Sequence, residues 1–153
     1  MNGEERYNKF VEDINKWVKC IGMVEIRANE EVEHLLEMNP SEINKLTHDQ
    51  MLIGAYNLTC YAEYLQNVMM KEKIAVDYAD ESIWYVISGK LANYGEKYSK
   101  WQDKYYSAVK ENPLTAQLLK VKITAEARIK TVEHHIETIK KLSSILENLA
   151  RRR

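Results

Sequence analysis

The sequence predicts an all-α protein built from three long helices. Three observations carry that expectation: a shortage of turn-forming residues, apolar residues recurring in steps of three and four, and two Asn-Pro dipeptides that punctuate the pattern. Gly and Pro number 5 and 2 among 153 residues, well below the roughly 12% of an average chain. So few turn-formers exclude a sandwich, a barrel or any many-looped fold. A hydrophobic share of 45% with a net charge of −1 separates the chain from disordered sequences. No apolar run approaches the ~20 residues needed to cross a bilayer, so no membrane association is expected. The start, Met1-Asn2-Gly3-Glu4-Glu5, is acidic and lacks the basic and apolar stretches of a signal peptide. The length suits one domain over residues 1–153. Cys20 and Cys60 both sit inside helical patterns, which reads as reduced thiols in a cytoplasmic setting.

The first helix is expected over residues 1–38. Tyr7, Phe10, Ile14, Trp17, Ile21, Val24, Ala28, Leu35 and Met38 keep heptad spacing, with Glu31 the one break. Unbroken, such a helix would reach about 54 Å, and Gly22 is its weakest point, at about 1 kcal/mol relative to Ala. Asn39-Pro40 ends it, because the residue before proline is pushed out of the α region. Asn39, Pro40 and Glu42 then supply N-cap, N1 and N3 of a short helix. Thr47-His48-Asp49-Gln50 offers a second capping box.

The second helix is expected over residues 48–110, as one rod or two. Met51, Ala55, Leu58, Ala62, Leu65, Met69, Val76, Ala79, Ile83 and Val86 keep the rhythm, with Glu72 the exception. The seam slips by one residue and resumes at Ile87, Leu91, Tyr94, Tyr98, Trp101, Tyr105 and Ala108. A single rod would span about 93 Å, so a kink or break is expected near Asp77–Ser82 or near Ser88-Gly89. Asn112-Pro113 opens the third helix, over residues 113–150. Leu118, Val121, Ala125, Val132, Ile139, Leu142 and Leu146 form its seam, continued by Leu149. Arg128 and His135 fall on seam positions, either fixing register or turned to the margin, and the margin is preferred. Seams this long exceed what three rods bury privately, so helix hairpins, intersubunit coiled coils or both are expected, in a coiled-coil-like homo-oligomer joined along the third helix.

Charge is segregated. Residues 1–50 hold 6 basic and 11 acidic side chains, whereas residues 113–153 hold 9 and 4. A basic tail of net +5 suits an anionic partner. The stretch from Lys90 to Lys110 mixes Lys90, Lys97, Lys100, Lys104 and Lys110 with Tyr94, Tyr98, Trp101, Tyr105 and Tyr106. Single-stranded nucleic acid is bound by such mixtures, with rings stacking on bases and lysines neutralising phosphates. A seam of rings flanked by snorkelling lysines is equally a helix core. Core is the more usual use of the four seam rings, and Tyr106, off the seam, is the candidate stacking group. Enzyme chemistry finds only fragments. Glu31-Val32-Glu33-His34 carries one Glu-x-x-His where a di-iron bundle needs two. Glu30 and Glu33 with Asp77 and Asp80 imitate the paired carboxylates of a helical Mg²⁺-dependent nucleotide pyrophosphatase, at a large separation. No Gly-rich phosphate loop, nucleophile elbow or CxxC is present. No catalytic residue, metal or cofactor is expected.

Residues 57–66, Asn-Leu-Thr-Cys-Tyr-Ala-Glu-Tyr-Leu-Gln, resemble the segment Asn-aliphatic-x-x-Tyr-small-x-aromatic-Leu-amide of UvsY-type recombination mediators from T-even-like bacteriophages. Residues 100–107, ending in Tyr105-Tyr106-Ser107, are similar to that family's basic run ahead of Tyr-Tyr-Ser. The helix from Thr115 through Leu149, above all Leu118-Leu119-Lys120-Val121, resembles its C-terminal helix. The resemblance covers roughly residues 50–150. It implies a ring-like homo-oligomer that binds single-stranded DNA and helps a RecA-like recombinase displace single-strand-binding protein, without catalysis. Lys100 matches a basic position of the family's run, whereas Gln102 stands where the next basic residue belongs. Residues 1–46 extend beyond the family pattern. The expected DNA surface combines Lys97, Lys100, Lys104 and Tyr106 with Lys120, Lys122, Arg151, Arg152 and Arg153. The alternative is a helical protein-interaction module that binds no nucleic acid.

Overall fold

A computed structural model describes residues 2–10, 12, 26–93 and 100–152. Expectations placed on Cys20, Gly22, Tyr94, Lys97, Tyr98 and Arg153 lie outside the described residues. Within them the chain is helical with connecting turns and contains no strand. Helix α1 covers 3–10, with 12 also helical. It is followed by α2 (Glu30–Glu37), α3 (Pro40–Asn44), α4 (His48–Ile87), a 3₁₀ turn (Leu91–Asn93), α5 (Trp101–Glu111) and α6 (Pro113–Arg152). No described helix is long and apolar enough to cross a membrane.

Side-chain caps account for most of the helix starts. Asn39 Oδ1 accepts from Glu42 N at 3.0 Å, and Glu42 Oε2 accepts from Asn39 N at 2.9 Å, a complete capping box that satisfies two otherwise orphaned donors. Thr47 and Gln50 repeat it at 3.2 and 2.9 Å ahead of α4. Asn112 Oδ1 accepts from Leu114 N at 2.9 Å and starts α6. Asn2 and Glu5 form a further box ahead of α1, at 2.8 and 2.9 Å.

The first expected helix is corrected. Residues 26–29 are not helical, and Asn29 accepts from Val32 N at 3.2 Å to open α2 as a separate helix. Glu30, Glu31 and Glu33 in its first turn favour a helix start there, since carboxylates stabilise the positive end of the dipole. The second expected helix divides at one of its two candidate points. Helix α4 runs unbroken through Asp77–Ser82 for 40 residues and stops at Ile87, one residue before Ser88-Gly89. Ser88 N and Lys90 N close its last turn on Trp84 O and Ile87 O.

The chain forms two compact units. The first comprises Met1–Val24 with Glu72–Ala127, and the second comprises Glu25–Lys71 with Arg128–Arg153. The divisions fall at Glu72 in α4 and Arg128 in α6, the charged residues that interrupt the two apolar rows. Glu72 nevertheless lies buried on its row.

In the second unit, Met51, Leu58 and Leu65 of α4 meet Ile136, Ile139 and Leu146 of α6, with Val32 of α2 sealing the end. Gly54 permits the close approach, because a Cβ there would lie 3.2 Å from Leu146 Cδ1 and 3.3 Å from Leu35 Cδ1. Buried Ser143 donates to Ala55 O at 2.9 Å and meets Thr59 Oγ1 at 3.0 Å. Tyr64 Oη accepts from Arg27 N and Tyr61 Oη donates to Arg27 O, both at 2.9 Å, which ties the non-helical lead-in of α2 to α4.

In the first unit, Ala79, Ile83 and Ile87 of α4 pack with Tyr105, Ala108 and Val109 of α5 and Leu114 and Leu118 of α6. Buried Thr115 Oγ1 contacts Val109 O at 2.7 Å and Asn112 O at 3.0 Å, fastening the α5–α6 corner.

The expected oligomer seam of α6 is filled from within the chain. Leu118, Ala125, Val132, Ile139 and Leu146 are buried, and Val121 and Leu142 are half-buried. A second buried row lies beside this seam. Thr115, Ile136, Ser143 and Ala150 are buried, while His135 is exposed and Arg128 half-buried. Placing the polar pair at the margin avoids desolvating it, and this settles those two residues in favour of the margin.

Candidate nucleic-acid interface

The junction between the end of α4 and the start of α5 gathers aromatic rings within the first unit. Trp84, Trp101 and Tyr105 form a triangle with ring centroids 5.6, 5.5 and 5.4 Å apart. Tyr106 meets Tyr105 edge-on at 5.5 Å. Tyr105 lies at the centre and is 7% exposed, whereas Trp101 is 56% and Tyr106 49% exposed. The expectation that Trp101 is core is therefore corrected. It begins α5, so no preceding turn of that helix covers it, and its contacts with Trp84 and Tyr105 leave half its surface in water.

Lys100 occupies the N-cap of α5 with an extended backbone, φ −60° and ψ 142°. Its side chain is exposed, and Lys104 one turn later is half-buried. Among the described residues neither ammonium has a carboxylate partner. The arrangement offers two ring surfaces beside two lysine ammonium groups. Flat, sequence-independent stacking and phosphate neutralisation are what such a surface can do chemically.

Lys122 pairs with a carboxylate of α4. Its Nζ lies 2.8 Å from Asp80 Oδ1 and is half-buried, so its charge is neutralised inside the chain. The hydrogen bond to Asp80 raises the Lys122 pKa above its ordinary value, against the opposing effect of burial. Burial raises the Tyr105 pKa, and the Lys122 charge only partly offsets it. Lys120 is exposed on α6 in the first unit. Arg151 and Arg152 are exposed in the last turn of α6, where cations suit the negative dipole end, and belong to the second unit.

Sequence reasoning passed over Trp84, the ring on which Trp101 stacks. The signal was the adjacent pair Trp84-Tyr85, which sits beside the apolar row. The pyrophosphatase-like carboxylates are not gathered into one unit: Glu30 and Glu33 belong to the second and Asp77 and Asp80 to the first. Among the described residues no group of three or more His, Cys, Asp or Glu is placed to hold a metal ion. Compared with family models, curated proteins and solved structures, the chain matches none.

Proposed function

We propose that this chain binds single-stranded DNA through Trp101 and Tyr106, with Lys100 and Lys104 on the backbone. It then acts as a recombination mediator, helping a RecA-like recombinase assemble on DNA covered by single-strand-binding protein, as the resemblance to UvsY-type proteins implies. The observation that supports this reading is the half-exposed Trp101 held against Trp84 and Tyr105 beside two lysines with no carboxylate partner among the described residues. A fixed ring with a wet surface loses little conformational entropy when a base stacks on it.

A second reading is favoured by the outward side of α4. In the second unit Ile53 and Tyr56 are 60% and 69% exposed, an apolar pair suited to another protein or to a second copy of this chain. Self-association through that side would supply the oligomer, now that the α6 seam is filled internally.

Fluorescence anisotropy of a labelled oligo-dT, with duplex of equal length as competitor, tests the first reading. Preference for the single strand is expected, with Trp101→Ala and Tyr106→Ala each weakening it by roughly 5- to 150-fold, the equivalent of one stacked base. Absence of binding at low salt overturns it and leaves the protein-interaction reading.

A further inference from the structure

A second set of rings and cations lies on the other side of the last turn of α4. Residues of α1 and the end of α4 enclose an open groove of about 420 Å³ in the first unit, within the 300–1,000 Å³ typical of small-ligand sites. Its walls carry Tyr7, Phe10 and Tyr85, with Arg6 and Lys90 at the margin. Phe10 and Tyr85 are in ring contact at 5.3 Å, tilted by 52°. Tyr85 is nevertheless 76% exposed and Tyr7 43% exposed, so ring surface remains for a further planar group. Among the described lining residues there is no Asp or Glu. Neither Arg6 nor Lys90 has a carboxylate partner among the described residues. Planar apolar walls with cations at the rim complement one ligand chemistry, a flat base carrying a phosphate.

We infer that this groove is a second nucleotide subsite for the same single strand, with a base against Tyr7 and Tyr85 and its phosphate on Arg6 and Lys90. The inference rests on the proposed single-strand binding. Its geometric support is the adjacency of Trp84 and Tyr85: consecutive helical residues point about 100° apart. Trp84 backs the Trp101 surface and Tyr85 walls the groove. A strand leaving the first surface therefore reaches the second by passing about a quarter of the way around the helix. Such a path explains why two separate ring clusters flank the same helix end.

Photocrosslinking of the full chain to oligo-dT carrying 5-iododeoxyuridine, with adducts mapped by mass spectrometry, tests this. Adducts on Tyr7 or Tyr85 are expected in addition to those on Trp101 or Tyr106. Tyr85→Ala should weaken oligo-dT binding by at least fivefold, and Arg6→Gln with Lys90→Gln should weaken it further. Tyr85 is mostly in water, so its truncation leaves the fold intact, which circular dichroism verifies. Adducts confined to Trp101 and Tyr106, with both variants binding within twofold of the parent, overturn the groove and leave the proposed function standing. Tyr85 adducts that persist in a Trp101→Ala, Tyr106→Ala double variant support the groove while removing the first surface. Loss of the Tyr85 adduct to equimolar thymidine monophosphate overturns the strand assignment in favour of a free nucleotide. A parent protein that binds no oligo-dT overturns both.

Discussion

Replacing Lys100 and Lys104 together by Gln should flatten the salt dependence of single-strand binding by a calculable amount. Each phosphate neutralised on a single strand contributes about 0.7 to the slope of log affinity against log salt. Both ammonium groups lack a carboxylate partner among the described residues, so each is free to take a phosphate. Two lost contacts should then reduce the slope by about 1.4. Between 50 and 200 mM salt the parent should lose about sevenfold more affinity than the double variant. Lys122 provides the internal control. Its Nζ is held 2.8 Å from Asp80 Oδ1, so Lys122→Gln should lower stability yet leave the slope unchanged. Anisotropy titrations of oligo-dT at five salt concentrations read all three proteins. A double variant whose slope stays within about 0.3 of the parent's, well under one phosphate contact, would refute the assignment of these two lysines even if its affinity fell. A Lys122→Gln slope lowered by about 0.7 would refute the statement that Asp80 removes that charge from the surface.

Three further outcomes concern the fold. Gly54→Leu should lower stability by about 1–3 kcal/mol despite its better helix propensity, because its Cβ starts 3.2 Å from Leu146 Cδ1 and 3.3 Å from Leu35 Cδ1; a raised urea midpoint would contradict this. Asn39→Ala should cost about 1 kcal/mol by removing the capping box, measured as a shift in urea midpoint, and Asn39→Asp should restore most of it. Tyr105 and Lys122 both hold their protons more tightly in the folded state, so their contribution is complete below their ordinary values near 10 and is lost as pH rises beyond them. Urea midpoints from pH 8 to 11 should fall, and Tyr105→Phe should reduce the fall. At pH 7 the same variant should be neutral or stabilising, since Tyr105 Oη is buried without a hydrogen-bond partner among the described residues.

Helix starts were the most legible part of the fold. Asn39, Thr47 and Asn112 each stand where the sequence places a cap, because capping is local chemistry between a side chain and the next turn. The same reasoning reaches Asn29, which precedes three glutamates within four residues. The heptad through Ala28 and Met38 concealed it, since a seam can continue in phase across a break. The rows of α6 show a second limit. Residues three and four positions beyond Val132 both share its side of the helix, so spacing alone does not choose between a row through Arg128 and His135 and one through Ile136. Desolvation of Arg128 and His135 decides between them.

The candidate surface was harder to read for a related reason. Trp101 and Tyr105 are four apart on one helix and share a side by periodicity, yet one is 56% and the other 7% exposed. What separates them is where α5 begins relative to Trp84, a contact formed across 17 positions of chain that no local pattern encodes. Lys122 illustrates the converse, because its neutralising partner Asp80 is 42 residues away. Counting basic residues along α6 therefore overstates the charge available to a phosphate, and a ring stripe overstates the core wherever a helix ends. The ends of α4 and α5 are where periodic burial stops, and exposed rings held on one side by packed ones accumulate there. That is why both surfaces assigned to a single strand lie at the same helix end, and why variants at Trp101 and Tyr85 should alter binding with less effect on folding than any substitution on the buried rows of α4 or α6.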